Sequence, residues 1–322
     1  MNPSDPSGRP FVALAAGDAS AAFALRGAEL LSWRVAGREL LWQGDPAHWA
    51  ERAPVLFPVI GASAGGAVRV GGRSFPMPRH GFARELPFVL VERRPDAVRL
   101  RLDESATTLR HYPFRFRLDV AAALTADRLS LRLTVANADE RPMPYAVGFH
   151  PGFPWPFDGG VREDYRLVFA APEDPRVPDV TSAGLLRPGG RRLPFAGYAL
   201  PLDPALFRDG ALVLRNVRSR RVRFEAPGGG AIVVETENFP HFALWTKPAA
   251  PFLCLEAWAG EPDPDGFAGD LSERPSIRIL PPGTAASHAV ALRFEPQAAE
   301  ERLSTSRARS AAPSGRISSS KR

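Results

Sequence analysis

Runs in which apolar and polar residues alternate recur along most of this 322-residue chain. In the run 114–124, Phe116, Leu118 and Val120 fall on one face, and the run 129–135 alternates in the same way. A period of two is typical of antiparallel strands that pack one face on a core. The pattern therefore predicts extended strands as the main element of the fold.

Turn-forming residues separate these short strands, whereas amphipathic helices of three or more turns are nearly absent. Glycine-containing turns bound the first strands, as expected for a meander of hairpins, and the glycine run 228–230 is expected to be a hairpin turn. The strands predicted from these signals are 11–16, 21–26, 29–35, 39–42, 88–93, 97–102, 114–124, 129–135, 145–149, 165–169, 212–214, 222–225, 231–235, 243–245, 252–256, 277–280 and 289–294.

Three segments are expected to be less regular. The segment 45–51 is predicted to form a helical turn, with Asp45 as its N-cap and Pro46 at the first helical position. The small residues of 61–72 predict a loop. The proline- and glycine-rich segment 171–204 is predicted to be a long irregular excursion.

About eighteen short strands without alternating helices favour an all-β fold, a large antiparallel sandwich or barrel. No domain linker is evident before residue 297, so residues 10–297 are predicted to form one domain. The polar segment 1–9 and the Ser-, Ala- and Arg-rich segment 298–322 are predicted to be disordered.

Composition narrows the class of protein. The hydrophobic content of 44% suffices for a large core, and no apolar run is long enough to span a membrane. The segment 298–322 carries +4 of the net charge of +6, so the nearly neutral remainder gives little reason to expect nucleic-acid binding. Cys254 is the only cysteine, and no signal-peptide pattern is present, which makes a cytoplasmic location the expectation.

Several familiar chemical motifs are missing from the sequence. It contains no glycine-rich phosphate loop after a strand, no His-Glu-x-x-His and no Cys/His cluster. The Gly-Ala-Ser-Ala-Gly run at 61–65 lies in a predicted loop and is not followed by a predicted helix, so it does not form the nucleophile elbow of serine hydrolases. Metal-free proton transfer is the chemistry that remains, so histidines and carboxylates at strand ends become the candidates.

His150 follows the predicted strand 145–149 directly and precedes Pro151. Proline cannot donate to a sheet ladder, and it keeps the residue before it out of the helical region. The imidazole is therefore expected in a fixed backbone setting at a strand end, where it can give or take a proton near neutral pH. The alternative is a strand-end histidine whose nitrogens are satisfied by neighbouring backbone.

Glu256 lies inside the apolar run 252–260. Burial would raise the pKa of its carboxyl toward the range of a useful acid or base. The alternative is a glutamate at a strand exit that faces solvent or pairs with an arginine. Trp258, two residues further on, suits either a core position or stacking on a sugar face.

Three other residues occupy settings from which a ligand is reachable. His80 lies beside a glycine in a proline-bounded loop, Arg52 precedes an apolar run, and Trp245 ends a predicted strand. Each has a structural alternative: an ordinary loop histidine, a surface arginine, and a tryptophan that is partly core.

Seven short stretches occur in order between residues 11 and 294. They are Gly-Ala-Glu-Leu at 27–30, Leu-Trp-Gln-Gly-Asp-Pro at 41–46, Arg-Ala-Pro-Val-Leu-Phe-Pro at 52–58, His-Gly-Phe-Ala-Arg at 80–84, Tyr-Pro-Phe at 112–114, Gly-Phe-His-Pro at 148–151 and Leu-Glu-Ala-Trp at 255–258. The ordered set resembles the aldose 1-epimerase (galactose mutarotase) family, specifically its compact bacterial branch. The resemblance implies a large twisted antiparallel β-sandwich, the galactose mutarotase-like supersandwich, with a sugar bound in a cleft across one sheet.

The resemblance also implies roles for individual residues, and it implies no cofactor and no metal. His150 takes the place of the general acid and Glu256 that of the general base. The residues expected to bind the sugar are His80, Arg52, Arg84, Trp245 and Asp209.

The implied reaction interconverts α- and β-anomers of a sugar. The C1 hydroxyl loses a proton, the ring oxygen gains one, the ring opens, and the steps reverse after rotation about the C1–C2 bond. Glu256 would take the first proton and His150 would supply the second, each such transfer being worth about 10²–10⁴-fold in rate.

Asp209 departs from the family pattern. The sugar-binding aspartate of the family would align with Gly210, and a residue one position away in a strand faces the other side. A bulge at Gly210 would restore the orientation of Asp209.

The substrate is expected to be a free aldose such as glucose or galactose. Hexose-6-phosphate epimerases share the His-Gly-Phe-Ala-Arg run but usually carry an Arg-Gly-Gly-x-Pro stretch, which is missing here. A sugar phosphate is therefore the alternative substrate, and a non-catalytic carbohydrate-binding sandwich is the alternative function. The chain is expected to be a monomer or a homodimer that binds neither nucleic acid nor membrane.

Overall fold

The computed structural model describes Gly8 and residues 10–297. The predicted disordered segments, 1–9 and 298–322, lie outside the described residues apart from Gly8.

Antiparallel strand pairing accounts for nearly all regular structure in residues 10–297, which confirms the predicted all-β class. There is one short α-helix, α1 (Ala106–Leu109), and the side chain of the preceding residue, Ser105, caps its first turn. The strands are β1 (Phe11–Ala16), β2 (Ala19–Ala24), β3 (Leu30–Val35), β4 (Arg38–Glu39), β5 (Val55–Leu56), β6 (Ala67–Val70), β7 (Arg73–Pro76), β8 (Val89–Arg93), β9 (Ala97–Asp103), β10 (Phe116–Leu124), β11 (Arg128–Asn137), β12 (Met143–Tyr145), β13 (Val147–Phe149), β14 (Gly152–Pro154), β15 (Arg166–Phe169), β16 (Arg176–Val180), β17 (Leu186–Arg192), β18 (Ala199–Pro201), β19 (Leu212–Leu214), β20 (Arg221–Glu225), β21 (Ala231–Glu237), β22 (His241–Trp245), β23 (Phe252–Ala259), β24 (Arg278–Leu280) and β25 (Ala285–Glu295). Short 3-10 helices lie at Ala64–Gly66, Ala83–Glu85, Arg162–Asp164, Pro204–Phe207 and Leu271–Glu273.

Two large sheets form the two layers of the sandwich. The nine-stranded sheet has the order β18-β15-β20-β21-β25-β11-β10-β9-β8. The six-stranded sheet has the order β19-β22-β23-β13-β5, and β14 also pairs with β23. A four-stranded meander, β1 to β4, and three two-stranded pairs, β6-β7, β12-β24 and β16-β17, complete the described part.

One continuous hydrophobic core joins the two large sheets. Alternate residues of β10, among them Phe116 and Leu118, are buried in it, as the period-two pattern predicts. From the other sheet, Leu253 and Leu255 of β23 belong to the same core. At about 25 cal/mol per Å² of apolar surface removed from water, this burial is the main term that stabilises the fold.

Every residue of β23 is buried, on both faces of the strand. The odd-numbered residues from Leu253 to Ala259 face the core, whereas Cys254, Glu256 and Trp258 lie outside that core cluster, on the opposite face. Because side chains alternate along a strand, this second face presents one carboxylate among apolar neighbours. The candidate site is built on this face.

Several segments differ from their predictions. The predicted loop 61–72 contains β6, which pairs with β7 across a two-residue turn at Gly71 and Gly72, both at positive φ. The Gly-Gly pair permits that turn, so the small residues mark a hairpin. The predicted excursion 171–204 contains β16, β17 and β18. β17 includes Pro188 and two glycines and is mostly exposed, so neither residue preference nor alternation marks it.

Other segments refine their predictions. The run 145–149 is divided between β12 and β13. The segment 45–51 forms only a turn, in which the Asp45 carboxylate accepts the Ala47 N–H at 2.9 Å, as an N-cap would. The predicted hairpin turn at 228–230 is confirmed, because it joins the paired strands β20 and β21.

Candidate active site

Strand register brings His150 and Glu256 together although they are far apart in the sequence. Positions 149 and 152 pair with positions 257 and 254 of β23, so one register runs through β13 and β14 and places 150 opposite 256. Residues that face each other on antiparallel strands have Cβ atoms about 4.5–5.5 Å apart. His150 Nε2 accordingly lies 3.1 Å from Glu256 Oε2.

The backbone of His150 is held from both sides. Its N–H donates to the Pro54 carbonyl at 3.1 Å, next to β5. Pro151, which has no N–H, accepts a hydrogen bond from the Leu255 N–H at 3.1 Å through its carbonyl. The imidazole therefore projects from a strand end in a fixed setting.

Both members of the pair are buried, the Glu256 side chain being 1% exposed and the His150 side chain 8%. Trp258 Nε1–H donates to Glu256 Oε2 at 3.0 Å. Burial raises the pKa of Glu256 well above its ordinary value and lowers the pKa of His150 to about 3. The contact has the geometry of an ion pair, but desolvation favours the neutral forms, a protonated Glu256 carboxyl and a neutral His150 imidazole.

Aromatic walls cause the desolvation of His150. The Trp49 ring lies 5.1 Å from the imidazole at an interplanar angle of 32°, and the Trp245 ring meets it edge-on at 5.8 Å. Gly152 provides the space for Trp49, because a Cβ at position 152 would lie 2.9 Å from the indole ring. Water is thereby kept from much of the imidazole surface, which disfavours its charged form.

His80 is fixed against the same site by a double contact with Gly61. Its N–H donates to the Gly61 carbonyl at 2.8 Å, and its Nδ1 accepts the Gly61 N–H at 3.1 Å. Burial, and next the charge of His150, lower the pKa of His80 well below its ordinary value. The neutral ring must then carry its proton on Nε2, which makes Nε2–H a donor. The His80 and His150 rings lie 5.6 Å apart.

The turn that carries His80 is conformationally demanding. His80 has φ 66° and Gly81 has φ 74°. A Cβ at position 81 would lie 2.1 Å from the Phe57 carbonyl oxygen, so only glycine fits there. Positive φ is uncommon for any residue other than glycine, although His adopts it more often than most. Residues in this conformation are concentrated at functional sites.

A cavity of about 630 Å³ opens over these side chains. Six of the seven site residues predicted from the sequence line it, the exception being Arg52. The polar and aromatic lining residues are Trp49, Glu51, Arg79, His80, Arg84, His150, Thr181, Ser182, Arg208, Asp209, Trp245, Glu256 and Trp258.

Arg52 lies outside the lining and contacts backbone instead. Its guanidinium donates to the Leu31 carbonyl at 2.7 Å and to the Gln43 carbonyl at 3.2 Å. The Arg52 N–H donates to Glu29 Oε1 at 2.6 Å. These contacts connect β3 to the segment before β5, so they serve the fold. Arg52 is not a lining residue of the cavity in which a sugar contact was expected for it.

Asp209 and Gly210 both line the cavity, but they lie in a turn between a 3-10 helix and β19. The strand alternation that was expected to turn Asp209 away therefore does not apply. Its carboxylate lies 3.3 Å from an Arg191 guanidinium nitrogen, and its side chain is 81% exposed. Asp209 thus lies at the cavity mouth in contact with solvent.

Sequence reasoning missed a third carboxylate in the cavity, that of Glu51. Glu51 Oε2 accepts from Arg84 Nη1 at 3.0 Å and from Trp49 Nε1 at 3.3 Å. Trp49 and Glu51 are two residues apart, and the exposed Ala50 lies between them. This alternation of Trp49 and Glu51 around an exposed residue was the sequence signal that could have identified Glu51.

Among the described residues, no group of three or more His, Cys, Asp or Glu side chains has the arrangement of a metal site. None of the helices in residues 10–297 reaches the length and apolarity that a membrane span requires.

Comparison with known proteins gives consistent matches. The sequence profile of the aldose 1-epimerase family matches residues 10–292. The chromosomal protein LacX of Lactococcus lactis subsp. lactis is 33% identical over 262 residues, covering 77% of this chain and 87% of LacX. A galactose mutarotase related enzyme from Lactobacillus acidophilus superposes with a TM-score of 0.83 at 26% identity, covering 90% of this chain and 99% of that one. A candidate glucose-6-phosphate 1-epimerase of Escherichia coli K12 is 35% identical over 105 residues, covering 30% of this chain and 34% of its own length.

Proposed function

Because this chain belongs to the aldose 1-epimerase family, we propose that it interconverts the α- and β-anomers of a free hexose by acid–base ring opening. The family acts on carbohydrates as isomerases, and the fold is the galactose mutarotase-like β-sandwich. Beyond the family and the fold, we propose the substrate and the roles of the individual residues.

The direct contact between His150 and Glu256 carries this proposal. Anomerisation needs one group that takes a proton from the C1 hydroxyl and one that gives a proton to the ring oxygen. Both oxygens are bonded to the same carbon, so the two groups must be close together, and theirs is a 3.1 Å contact. A pair that holds one proton contains both the proton acceptor and the proton donor that the reaction needs. A doubly protonated pair lacks the base, and a fully deprotonated pair lacks the acid.

The shifted pKa values suit the assigned roles. A Glu256 carboxylate whose pKa is raised is a stronger base than an exposed one, and a His150 imidazolium whose pKa is lowered is a stronger acid. The hexose would enter between them and replace their direct hydrogen bond. The pair reacts from its ion-pair tautomer, in which its one proton lies on His150. Glu256 then takes the proton of O1 and His150 gives its proton to O5, so the pair still holds one proton, which now lies on Glu256.

Polarimetry on freshly dissolved α-D-glucose and α-D-galactose tests the proposal. We expect the protein to accelerate the decay of optical rotation for at least one of these sugars. His150→Ala and Glu256→Gln should each abolish that acceleration while the circular dichroism spectrum stays unchanged. Near-normal rates in either variant would overturn the assigned roles, and sugar binding without acceleration would favour a non-catalytic binder.

A hexose 6-phosphate is the second candidate substrate. It is favoured by three arginines of the cavity lining, Arg79, Arg84 and Arg208, since arginine binds phosphate oxygens in a bidentate manner. Arg79 and Arg84 already contact the Ala183 carbonyl and Glu51. The partial relative from Escherichia coli bears a matching name.

The rates with α-D-glucose 6-phosphate and α-D-glucose separate the two substrates. For a free hexose, we expect kcat/KM to be at least as high with glucose, and Arg208→Gln to change neither value by more than about twofold, as for an exposed charge. If a phosphate is bound, the sugar phosphate should be preferred, and Arg208→Gln should lower its kcat/KM by about tenfold or more.

A further inference from the structure

Glu51 is a carboxylate that the acid–base chemistry does not use, although it lines the same cavity. Its two donors among the described residues, Arg84 Nη1 and Trp49 Nε1, contact the same oxygen, Oε2. The other oxygen, Oε1, accepts no hydrogen bond from the described residues. The Glu51 side chain is 32% exposed, and that of Arg84 is 21% exposed.

Both partners of Glu51 belong to the cavity wall. Arg84 and Trp49 line the cavity, and the Trp49 ring also packs on the His150 imidazole. The position of the carboxylate relative to the acid–base pair is therefore set by a rigid aromatic contact. Burial raises the pKa of Glu51 even though Arg84 acts in the opposite direction.

A nearby glutamate shows what an ordinary surface pair looks like in this region. Glu85 follows Arg84 in the chain and pairs with Arg26, with side chains 55% and 60% exposed. It lies outside the cavity lining. A partly desolvated carboxylate with only one oxygen hydrogen-bonded by protein groups is costly unless water or a ligand donates to the other oxygen.

We propose that Glu51 and Arg84 form a hydroxyl-binding pair, in which Glu51 Oε1 accepts from one hydroxyl of the sugar and the Arg84 guanidinium donates to its neighbour. A neutral polyol offers donors and acceptors on adjacent carbons, which is what a carboxylate beside a guanidinium can satisfy at once. The identity of the ligand as a sugar rests on the proposed function.

The same pair sets a limit on the ligand. A phosphate or carboxylate group placed against this wall would meet the charge of Glu51, and like charges repel. The part of the sugar that lies at Glu51 must therefore carry hydroxyls only. Any anionic substituent would have to lie toward Arg79 and Arg208, elsewhere on the lining.

Anomerisation kinetics of Glu51→Gln test the proposal, with Glu85→Gln as the matched control that removes the same charge outside the cavity. We expect KM for glucose to rise about 10- to 100-fold in Glu51→Gln, the range for a hydrogen bond to a charged group. Its kcat should stay within about threefold, because the lost contact is made equally in the ground and transition states. Glu85→Gln should match the wild type.

A series of monodeoxyglucoses identifies the hydroxyls. In the wild type, one or two members of the series should show the raised KM, because a site built to bind a hydroxyl rejects the analogue that lacks it. In Glu51→Gln the member that lacks the hydroxyl bound by Glu51 should no longer differ from glucose. An unchanged KM in Glu51→Gln, or an equal loss for every deoxy sugar in both proteins, would overturn the proposal.

Calorimetric binding of methyl α-D-glucoside separates this proposal from the proposed function, because the glycoside cannot anomerise. If the wild type fails to catalyse but binds the glycoside, a weaker affinity in Glu51→Gln still supports the hydroxyl-binding pair. Equal affinities for the glycoside in the two proteins, or no binding of the glycoside by the wild type, would contradict it.

Discussion

Two concave sheet faces of this protein hold arginines near carboxylates, and they differ in how the charges are solvated. The larger concavity, about 740 Å³, lies on the outer face of the nine-stranded sheet. There Arg128 and Glu235 contact each other at 2.6 Å with side chains 40% and 28% exposed. The smaller concavity, about 630 Å³, lies over β23, where Glu256 is almost fully buried.

The comparison teaches that cavity size does not locate the chemistry. The floor of the outer concavity is a row of small residues across β10, β11 and β25, among them Ala123, Ser130 and Ala291. Two of its carboxylates, Glu92 and Glu235, remain partly solvated and pair directly with arginines. The cavity over β23 instead contains a carboxyl and two imidazoles whose pKa values burial has shifted, and such groups mark functional sites.

The largest expected effect is a loss of catalytic rate when the carboxyl over β23 is removed, but not when a carboxylate of the outer face is removed. Glu256→Gln should lower the anomerisation rate by about 10²–10⁴-fold, because the amide cannot take a proton from the C1 hydroxyl. The amide oxygen can still accept from Trp258 Nε1–H, so the fold should persist. Polarimetry measures the rate, and Glu235→Gln on the outer face serves as the control. A loss of less than tenfold in Glu256→Gln, or a comparable loss in the control, would contradict the distinction.

Stability should depend on pH differently with and without the buried carboxyl. Above pH 6.5, the ordinary histidine pKa, the unfolded chain carries an ionised Glu256 and a neutral His150. The folded site keeps its proton to a higher pH than the unfolded chain does, because burial raises the pKa of Glu256. Folding therefore takes up a proton where the pH lies between the unfolded and folded pKa values of Glu256, and rising pH destabilises the wild type there by up to about 1.4 kcal/mol per pH unit.

Glu256→Gln removes that proton uptake, since neither state of the variant binds a proton at this site above pH 6.5. We therefore expect the variant to gain stability relative to the wild type as pH rises above 6.5, until Glu256 ionises in the folded wild type. Urea unfolding at a series of pH values measures the difference. Parallel stability curves would show that Glu256 is ionised at neutral pH in the folded protein.

A smaller effect is expected at His80. His80→Asn keeps a residue that tolerates positive φ, and its side-chain oxygen can accept the Gly61 N–H in place of Nδ1. The variant lacks the Nε2–H donor, so kcat/KM should fall by about tenfold, the value of one hydrogen bond, with little loss of stability. His111→Asn, outside the cavity lining, should match the wild type. An unchanged kcat/KM would show that Nε2–H does not reach the substrate.

Local sequence patterns were sufficient for the elements but not for all of the site. Alternation in β10 and β11 predicted their inward faces, and the apolar run of β23 drew attention to Glu256 because it was the exception there. That His150 lies opposite Glu256 depends on pairing between strands about a hundred positions apart. Such a register is a property of the assembled sheet, which no local pattern encodes.

Arg52 and Glu51 show a second limit. They are adjacent, and the motif contains both, but only one side chain of two neighbours in an extended segment can face the cavity. Glu51 does so, whereas Arg52 contacts the carbonyls of residues 31 and 43. The direction of the Arg52 side chain is set by these carbonyls, which are distant in the sequence. The sequence alone therefore led to the prediction that the arginine, and not the glutamate, binds the sugar.

The smallest expected effect lies in the ion pair of the outer face. A double-mutant cycle with Arg128→Gln and Glu235→Gln should give a coupling free energy below about 1 kcal/mol, because both side chains are partly solvated and lose entropy when they pair. The coupling should shrink further at about 1 M salt, where the Debye length falls to about 3 Å. Urea unfolding at low and high salt measures it, and neither variant should change the anomerisation rate. A coupling well above this value, insensitive to salt, would mean that the outer concavity desolvates its charges as the β23 cavity does, and solvation would then no longer distinguish the two faces.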